Sequence, residues 1–256
     1  MYNNLFTIGP LTVHGYGLMI AIGIICALLC GLKIAKKKGL STDEVYNITF
    51  VCVIFGFLSA KLLYCIVEWK SFINNPLSTL GSGGFVVYGG IIGGTLAAGI
   101  YCRIKHLSFI KYFDIVLPSV AIAQAFGRIG CFLAGCCYGR ETDSFIGITF
   151  HNSDFAPNGV PLYPTQLFSS AGCFIIAFVL FAYLRKDRKP GSTGALYLIM
   201  YSIGRSVIEI FRNDYRGAIG VLSTSQFISI FILALGIIIY VLSQKGTFTE
   251  KSQDTH

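Results

Sequence analysis

The sequence predicts an all-α polytopic membrane protein with about seven transmembrane helices, its N-terminus outside, its C-terminus cytoplasmic, and a small extracytoplasmic cap. Three observations carry this expectation. Of 256 residues, 54% are hydrophobic and only 12% charged, whereas a soluble domain has about 25% charged. Seven apolar stretches approach the roughly 20 residues that an α-helix needs to cross a bilayer. The basic residues gather in short loops that fall on one side of a seven-span chain.

The spans are 13–34, 46–67, 85–102, 113–134, 165–184, 194–211 and 221–242. The third is rich in glycine yet apolar throughout, and discarding it would leave only six. The loop after the first span carries Lys33, Lys36, Lys37 and Lys38, that after the third Arg103, Lys105 and Lys111, and that after the fifth Arg185, Lys186, Arg188 and Lys189. With Lys245 and Lys251 of the tail, these are 13 of the 20 basic residues. Lys and Arg favour the cytoplasmic side, so the odd-numbered spans end inside. The net charge of +8 therefore reads as orientation, and no nucleic-acid partner is expected. The first span lacks a basic n-region and a small-residue cleavage site, and reads as a retained helix. Residues 1–256 form a single integral membrane domain in this reading.

Two outer loops are long enough to do work. Residues 68–84 end in a Gly-Ser-Gly-Gly turn; residues 136–164 alternate in character at Phe145, Ile146, Ile148 and Phe150, which predicts a short hairpin or small cap.

The unusual polar residues sort to the outer side. Arg128 stands near the end of the fourth span within Gly127-Arg128-Ile129-Gly130-Cys131. A cation at membrane depth opposes insertion by about 2.5–3.5 kcal/mol and is by default functional. Gln124 and Cys131 share its helix face, and Gly127 and Gly130 remove bulk beside it, so that a helix or a ligand can approach. Arg205, Glu209 and Arg212 are spaced by four and three, which puts them on one face of the sixth span. They form either a self-neutralising ion pair with Arg212 reaching for the interface, or a clamp in which Glu209 fixes one guanidinium and another meets a phosphate. Arginine suits that task through its planar fork of donors. Arg140 and Arg216 fall in the outer loops.

Other features are weaker. Tyr88 precedes the diglycines Gly89-Gly90 and Gly93-Gly94 and is either an interfacial tyrosine or a pocket hydroxyl; the glycines themselves read as close helix packing. His14 opens the first span. Cys131, Cys136 and Cys137 follow no common zinc spacing. They read as packing thiols before a disulfide or a metal site, and the other six cysteines as small hydrophobes.

Taken in order, these motifs resemble the bacterial prolipoprotein diacylglyceryl transferase family over nearly the whole chain. The resemblance runs through His14-Gly15-Tyr16-Gly17-Leu18-Met19, Tyr88-Gly89-Gly90-Ile91-Ile92-Gly93, Gly127-Arg128-Ile129-Gly130 through Gly139-Arg140, Tyr163-Pro164-Thr165-Gln166-Leu167, and Arg205 through Glu209-Ile210-Phe211-Arg212. It implies transfer of a diacylglyceryl group from phosphatidylglycerol to the lipobox cysteine thiol of a preprolipoprotein, with glycerol phosphate released. It also implies a bacterial inner-membrane setting, the signal peptide and the bilayer as partners, and no metal or nucleotide cofactor. The family's signature arginine falls on Arg128, its later essential arginine on Arg205, the paired glutamate on Glu209, its first-span tyrosine on Tyr16 and the closing glycine on Gly139; Arg212 would join them in substrate binding. The chain departs from the pattern at Tyr88, where well-known members have histidine, at Cys131, where the signature has asparagine, and at Cys136, where it has an acidic or polar residue. A histidine base therefore does not carry over, and the hydroxyls of Tyr88 and Tyr16 are the candidates to take the thiol proton. These departures keep two alternatives open: a paralogous lipid-modifying transferase with another acceptor or donor, and a non-enzymatic lipid carrier. A carrier predicts inverted repeats, and none is visible.

Overall fold

Seven long helices make up most of the chain. The computed structural model describes residues 4–8, 11–213, 218–219 and 222–248; Arg216, Val221 and Lys251 lie outside these. In chain order the elements are β1 (Asn4–Ile8), β2 (Leu11–His14), α1 (Gly15–Lys37), α2 (Thr42–Val67), α3 (Trp69–Asn74), α4 (Pro76–Gly81), α5 (Val87–Ile104), α6 (Phe109–Ala134), β3 (Ile148–Thr149), β4 (Pro161–Leu162), α7 (Thr165–Tyr183), α8 (Ser192–Ile210), β5 (Ala218–Ile219), β6 (Leu222–Ser223) and α9 (Thr224–Gln244).

Each predicted span has its helix. Among the described residues, six of the seven long helices are long and apolar enough to cross a membrane. The exception is α8. It is as long as α7, 19 residues, but Arg205, Glu209 and several small polar residues dilute its apolar character. Two expectations about the ends are refined. Val13 and His14 belong to β2 rather than to the first helix, paired with β1 in a hairpin. The 68–84 loop holds two short helices, the second started by Asn75, whose side chain accepts from Ser78 N, with Pro76 in the first turn.

Helix starts follow local chemistry. Ser41 caps α2 by accepting from Glu44 N at 3.3 Å. Ser223 and Gln226 form a reciprocal capping box on α9.

The chain divides into two compact units, Leu32–Tyr112 and the remainder, Met1–Gly31 with Phe113–His256. In the former, α2 packs on α5 along the diglycine face. A Cβ on Gly89 would lie 2.5 Å from the Ser59 carbonyl oxygen, so the backbones touch as the small-residue pattern predicts. Lys61 of α2 donates to the carbonyls of Ser82 and Gly84 at 2.6 and 3.2 Å, and so ties the end of the 68–84 segment to the helix.

The larger unit holds the 136–164 segment and the candidate site. Its core joins Leu117 and Ala121 of α6, Ile176, Ala177 and Leu180 of α7, and Tyr197 of α8. At one end, the Asp114 carboxylate of α6 accepts from Gly191 N at 2.6 Å and Gly194 N at 2.7 Å. An acceptor from α6 thereby caps the N-terminus of α8 and sets the register of the two helices. Arg128 lies fourteen residues beyond Asp114 and Arg205 eleven beyond Gly194. At 1.5 Å rise these are about 21 and 17 Å along two helices that run the same way, so one cap brings both arginines to similar depth. The 136–164 segment forms the predicted hairpin, with β3 antiparallel to β4 over a small core of Phe150, Ala156 and Leu162.

Candidate active site

Arg128 sits in the last two turns of α6, half-buried. Gly130 lets α1 approach there: a Cβ on Gly130 would meet the Tyr16 ring at 3.1 Å and the Tyr16 carbonyl oxygen at 3.2 Å. Gly127 does something different, since nothing lies within 4 Å of a Cβ built on it; it leaves space beside the arginine. Tyr16, exposed at the start of α1, is within electrostatic reach of Arg128 and of Cys131, Cys136 and Cys137. Gln124, one turn below Arg128, accepts from the Tyr197 hydroxyl at 2.8 Å.

Beyond α6 the chain turns through the cysteines. Gly135 and Cys137 have φ of +76° and +62°, the left-handed region that a non-glycine residue seldom adopts. The first residues of α7 hold this turn: Thr165 Oγ1 donates to the Cys137 carbonyl at 2.8 Å and Gln166 Nε2 to the Cys136 carbonyl at 2.7 Å. No disulfide joins the cysteines among the described residues. Hydrogen bonding with Cys131, then with Cys137, and after these burial, push the Cys136 thiol up, so it stays protonated through the neutral range. Next comes Gly139, where a Cβ would fall 2.5 Å from the Tyr163 carbonyl oxygen; no other residue fits without moving backbone. Residues 139–140 then run beside the end of α8, with Arg140 N donating to the Phe211 carbonyl at 2.9 Å. Gly139 thus joins the cysteine turn to α8 and is paired there with Arg212.

On α8, the predicted face is present. Arg205 Nη2 lies 2.5 Å from Glu209 Oε2, with side-chain exposures of 11% and 10%. The short distance and opposite charges make it an ion pair. Ser225 of α9 accepts from the same Arg205 nitrogen at 2.7 Å. Arg212 is buried, 6% exposed, at the end of the helix, not extended to an interface.

Arg128 and Arg205 face one cavity of about 230 Å³, lined also by Ser169, Gly172, Cys173, Tyr201 and Gly204. Arg205 is held by Glu209 and Ser225, whereas the Arg128 guanidinium receives no hydrogen-bond acceptor among the described residues. The wall therefore presents two guanidiniums, that of Arg205 paired with the Glu209 carboxylate, among mostly apolar helix residues. Two guanidinium forks on one wall suit a compact anion.

The structure brings together Tyr16, Arg128, Arg205, Glu209, Arg212 and Gly139 in one unit. Tyr88 belongs to the other unit, exposed in the first turn of α5. Sequence reading passed over Asp114, Lys61, Ser225 and the cavity wall of α7. Thr165 and Gln166 were in view as part of Tyr163-Pro164-Thr165-Gln166, but their hold on the cysteine turn spans about thirty residues and has no local signal.

A family model described as prolipoprotein diacylglyceryl transferase matches residues 3–242. A phosphatidylglycerol–prolipoprotein diacylglyceryl transferase of Clostridium tetani is 49% identical over 238 residues, covering 92% of this chain and 95% of that protein. One from Clostridium perfringens, numbered 2, is 49% identical and covers 91% and 92%; one from Streptococcus uberis is 37% identical over 93% and 95%. The chain belongs to the prolipoprotein diacylglyceryl transferase family.

Proposed function

We propose that this member of the prolipoprotein diacylglyceryl transferase family moves a diacylglyceryl group from phosphatidylglycerol to the lipobox cysteine thiol of a preprolipoprotein. The relatives named for that reaction support it, as do the multiple membrane helices. The observation that carries the site assignment is the pair of guanidiniums, Arg128 and Arg205, on a single small cavity, the second held by Glu209. A cavity of about 230 Å³ takes a phosphate with its glycerol and not two acyl chains, which then extend between helices into the bilayer.

The chemistry follows from the donor set. The thiol sulfur forms a bond to the terminal glyceryl carbon while that carbon's bond to the phosphate oxygen breaks. The products are a thioether and glycerol phosphate, and the thiol proton is released. Negative charge grows on the departing phosphate. Donors fixed in advance in a water-poor site stabilise such charge with little reorganisation. Arg128 and Arg205 supply them. Glu209 and Ser225 hold Arg205 in place, and Arg212 adds positive potential behind it. Tyr16 lines the approach beside Arg128. The thiol proton we assign to a tyrosine hydroxyl, that of Tyr88, at the position the family gives to histidine, or that of Tyr16. The basic loops support an orientation with the site toward the extracytoplasmic face of a bacterial inner membrane, where the 136–164 hairpin would meet the signal peptide.

Complementation tests this reading. A strain depleted of its own diacylglyceryl transferase should regain growth on expressing this chain, and mass spectrometry of a model lipoprotein should find the thioether-linked diacylglyceryl group. Growth without that modification, or modification at another acceptor, would favour a paralogous transferase.

A further inference from the structure

Three thiols meet at the turn that closes α6. The Sγ atoms of Cys131, Cys136 and Cys137 all lie within 4.8 Å of one another. A zinc ion bound to thiolates at about 2.3 Å holds its sulfurs about 3.8 Å apart. Closing the site therefore asks each sulfur to move by roughly half an ångström. The turn is built to converge the side chains. Cys137 takes a left-handed conformation, which persists where surroundings over-determine it, and Thr165 and Gln166 pull the carbonyls of both turn cysteines to one side. Gln166 Oε1 stays buried without a partner at the same place. The donor set is all sulfur, which selects soft ions over Mg²⁺ or Ca²⁺.

We propose that Cys131, Cys136 and Cys137 bind one thiophilic d¹⁰ cation, Zn²⁺ or Cu⁺, and that the filled site engages Arg128 and slows lipid transfer. Binding replaces three thiol protons, which are released. The cluster then carries a net charge of −1 with Zn²⁺ or −2 with Cu⁺. Arg128 lies on the same helix face as Cys131 and within electrostatic reach of Cys131 and Cys137. The guanidinium that offsets this charge is the one assigned above to the lipid phosphate, so metal and lipid compete for it. This second half rests on the proposed function; the metal site does not.

The test uses the full chain, reduced and purified in detergent, with Co²⁺ as the spectroscopic stand-in for Zn²⁺. One equivalent of Co²⁺ should produce an intense sulfur-to-metal charge-transfer band that Zn²⁺ abolishes by displacement; a parallel Cu⁺ titration against a Cu⁺ chelator decides between the two ions. Cys137→Ser, outside the helix, should weaken binding more than about tenfold, the loss that even an outer partner of a ligand brings. Replacing all three cysteines by serine should remove the band. If that triple variant does not fold, Cys137→Ser alone decides. Transfer, taken for each protein relative to its own metal-free rate, should fall about tenfold in the wild type at stoichiometric metal and stay unchanged in the variants. Absence of a thiolate band, or a band that survives Cys137→Ser, overturns the site. A normal band with unaltered transfer overturns the competition. The phosphate reading fails separately, through full metal-free transfer by Arg128→Ala.

Discussion

Removing Arg205 and Glu209 singly and together separates a structural ion pair from a catalytic one. Both side chains are about nine-tenths buried, at 11% and 10% exposure, and 2.5 Å apart. Arg205→Ala leaves the buried Glu209 carboxylate without the guanidinium it is paired with. Removing one partner of a buried pair costs about 3–5 kcal/mol. At roughly 2–4 °C per kcal/mol for a chain of this size, the apparent Tm in detergent should fall by about 6–20 °C. In the double variant Arg205→Ala with Glu209→Ala, the carboxylate is removed together with its guanidinium and most of that loss should return. Transfer behaves differently. If Arg205 stabilises the departing phosphate, its loss costs the roughly 10²–10³-fold typical of one preorganised donor, and deleting Glu209 restores none of it. The assay pairs thermal unfolding with transfer of labelled diacylglyceryl to a lipobox peptide. A double variant that regains both stability and transfer would refute the phosphate role and leave Arg205 as half of a structural pair.

Other residues separate in the same way. Arg128→Ala should cut transfer by about 10²–10³-fold with Tm within a degree or two, because its guanidinium gives up no protein hydrogen bond among the described residues; a large fall in Tm would contradict this. Gly139→Ala should destabilise by about 1–3 kcal/mol, since the new Cβ meets a carbonyl at 2.5 Å, while Gly127→Ala, with open space around it, should leave Tm unchanged or raised. Tyr88→Phe should lower kcat by about 10²-fold or more without raising the KM for phosphatidylglycerol; an unchanged kcat would move the proton step to another group.

The sequence displayed what repeats locally and hid what joins distant segments. The spans were legible because 20-residue apolar runs have few other uses. Helical spacing was enough to put Arg205 and Glu209 face to face. Gly127 and Gly130 looked alike in sequence; only the helix opposite distinguishes them, Tyr16 and Met19 crowding one and nothing the other. Asp114 reads as one acid in an apolar run until its partners, Gly191 and Gly194, are folded against it. The N-terminal hairpin escaped although Leu5 to Val13 alternate around Gly9-Pro10, a sign of strand and turn that the adjoining apolar helix masked. Lys61 was overlooked as a basic residue in a span, and its carbonyl partners in 82–84 show how it is accommodated there.

Incubating the purified chain with phosphatidylglycerol vesicles and a lipobox peptide tests the central claim most directly. The account predicts that peptide mass rises by one diacylglyceryl group at the cysteine, with one glycerol phosphate released per peptide modified, and that Arg128→Ala folds yet loses both. Glycerol phosphate released without peptide modification, or modification that persists undiminished in Arg128→Ala, would contradict it.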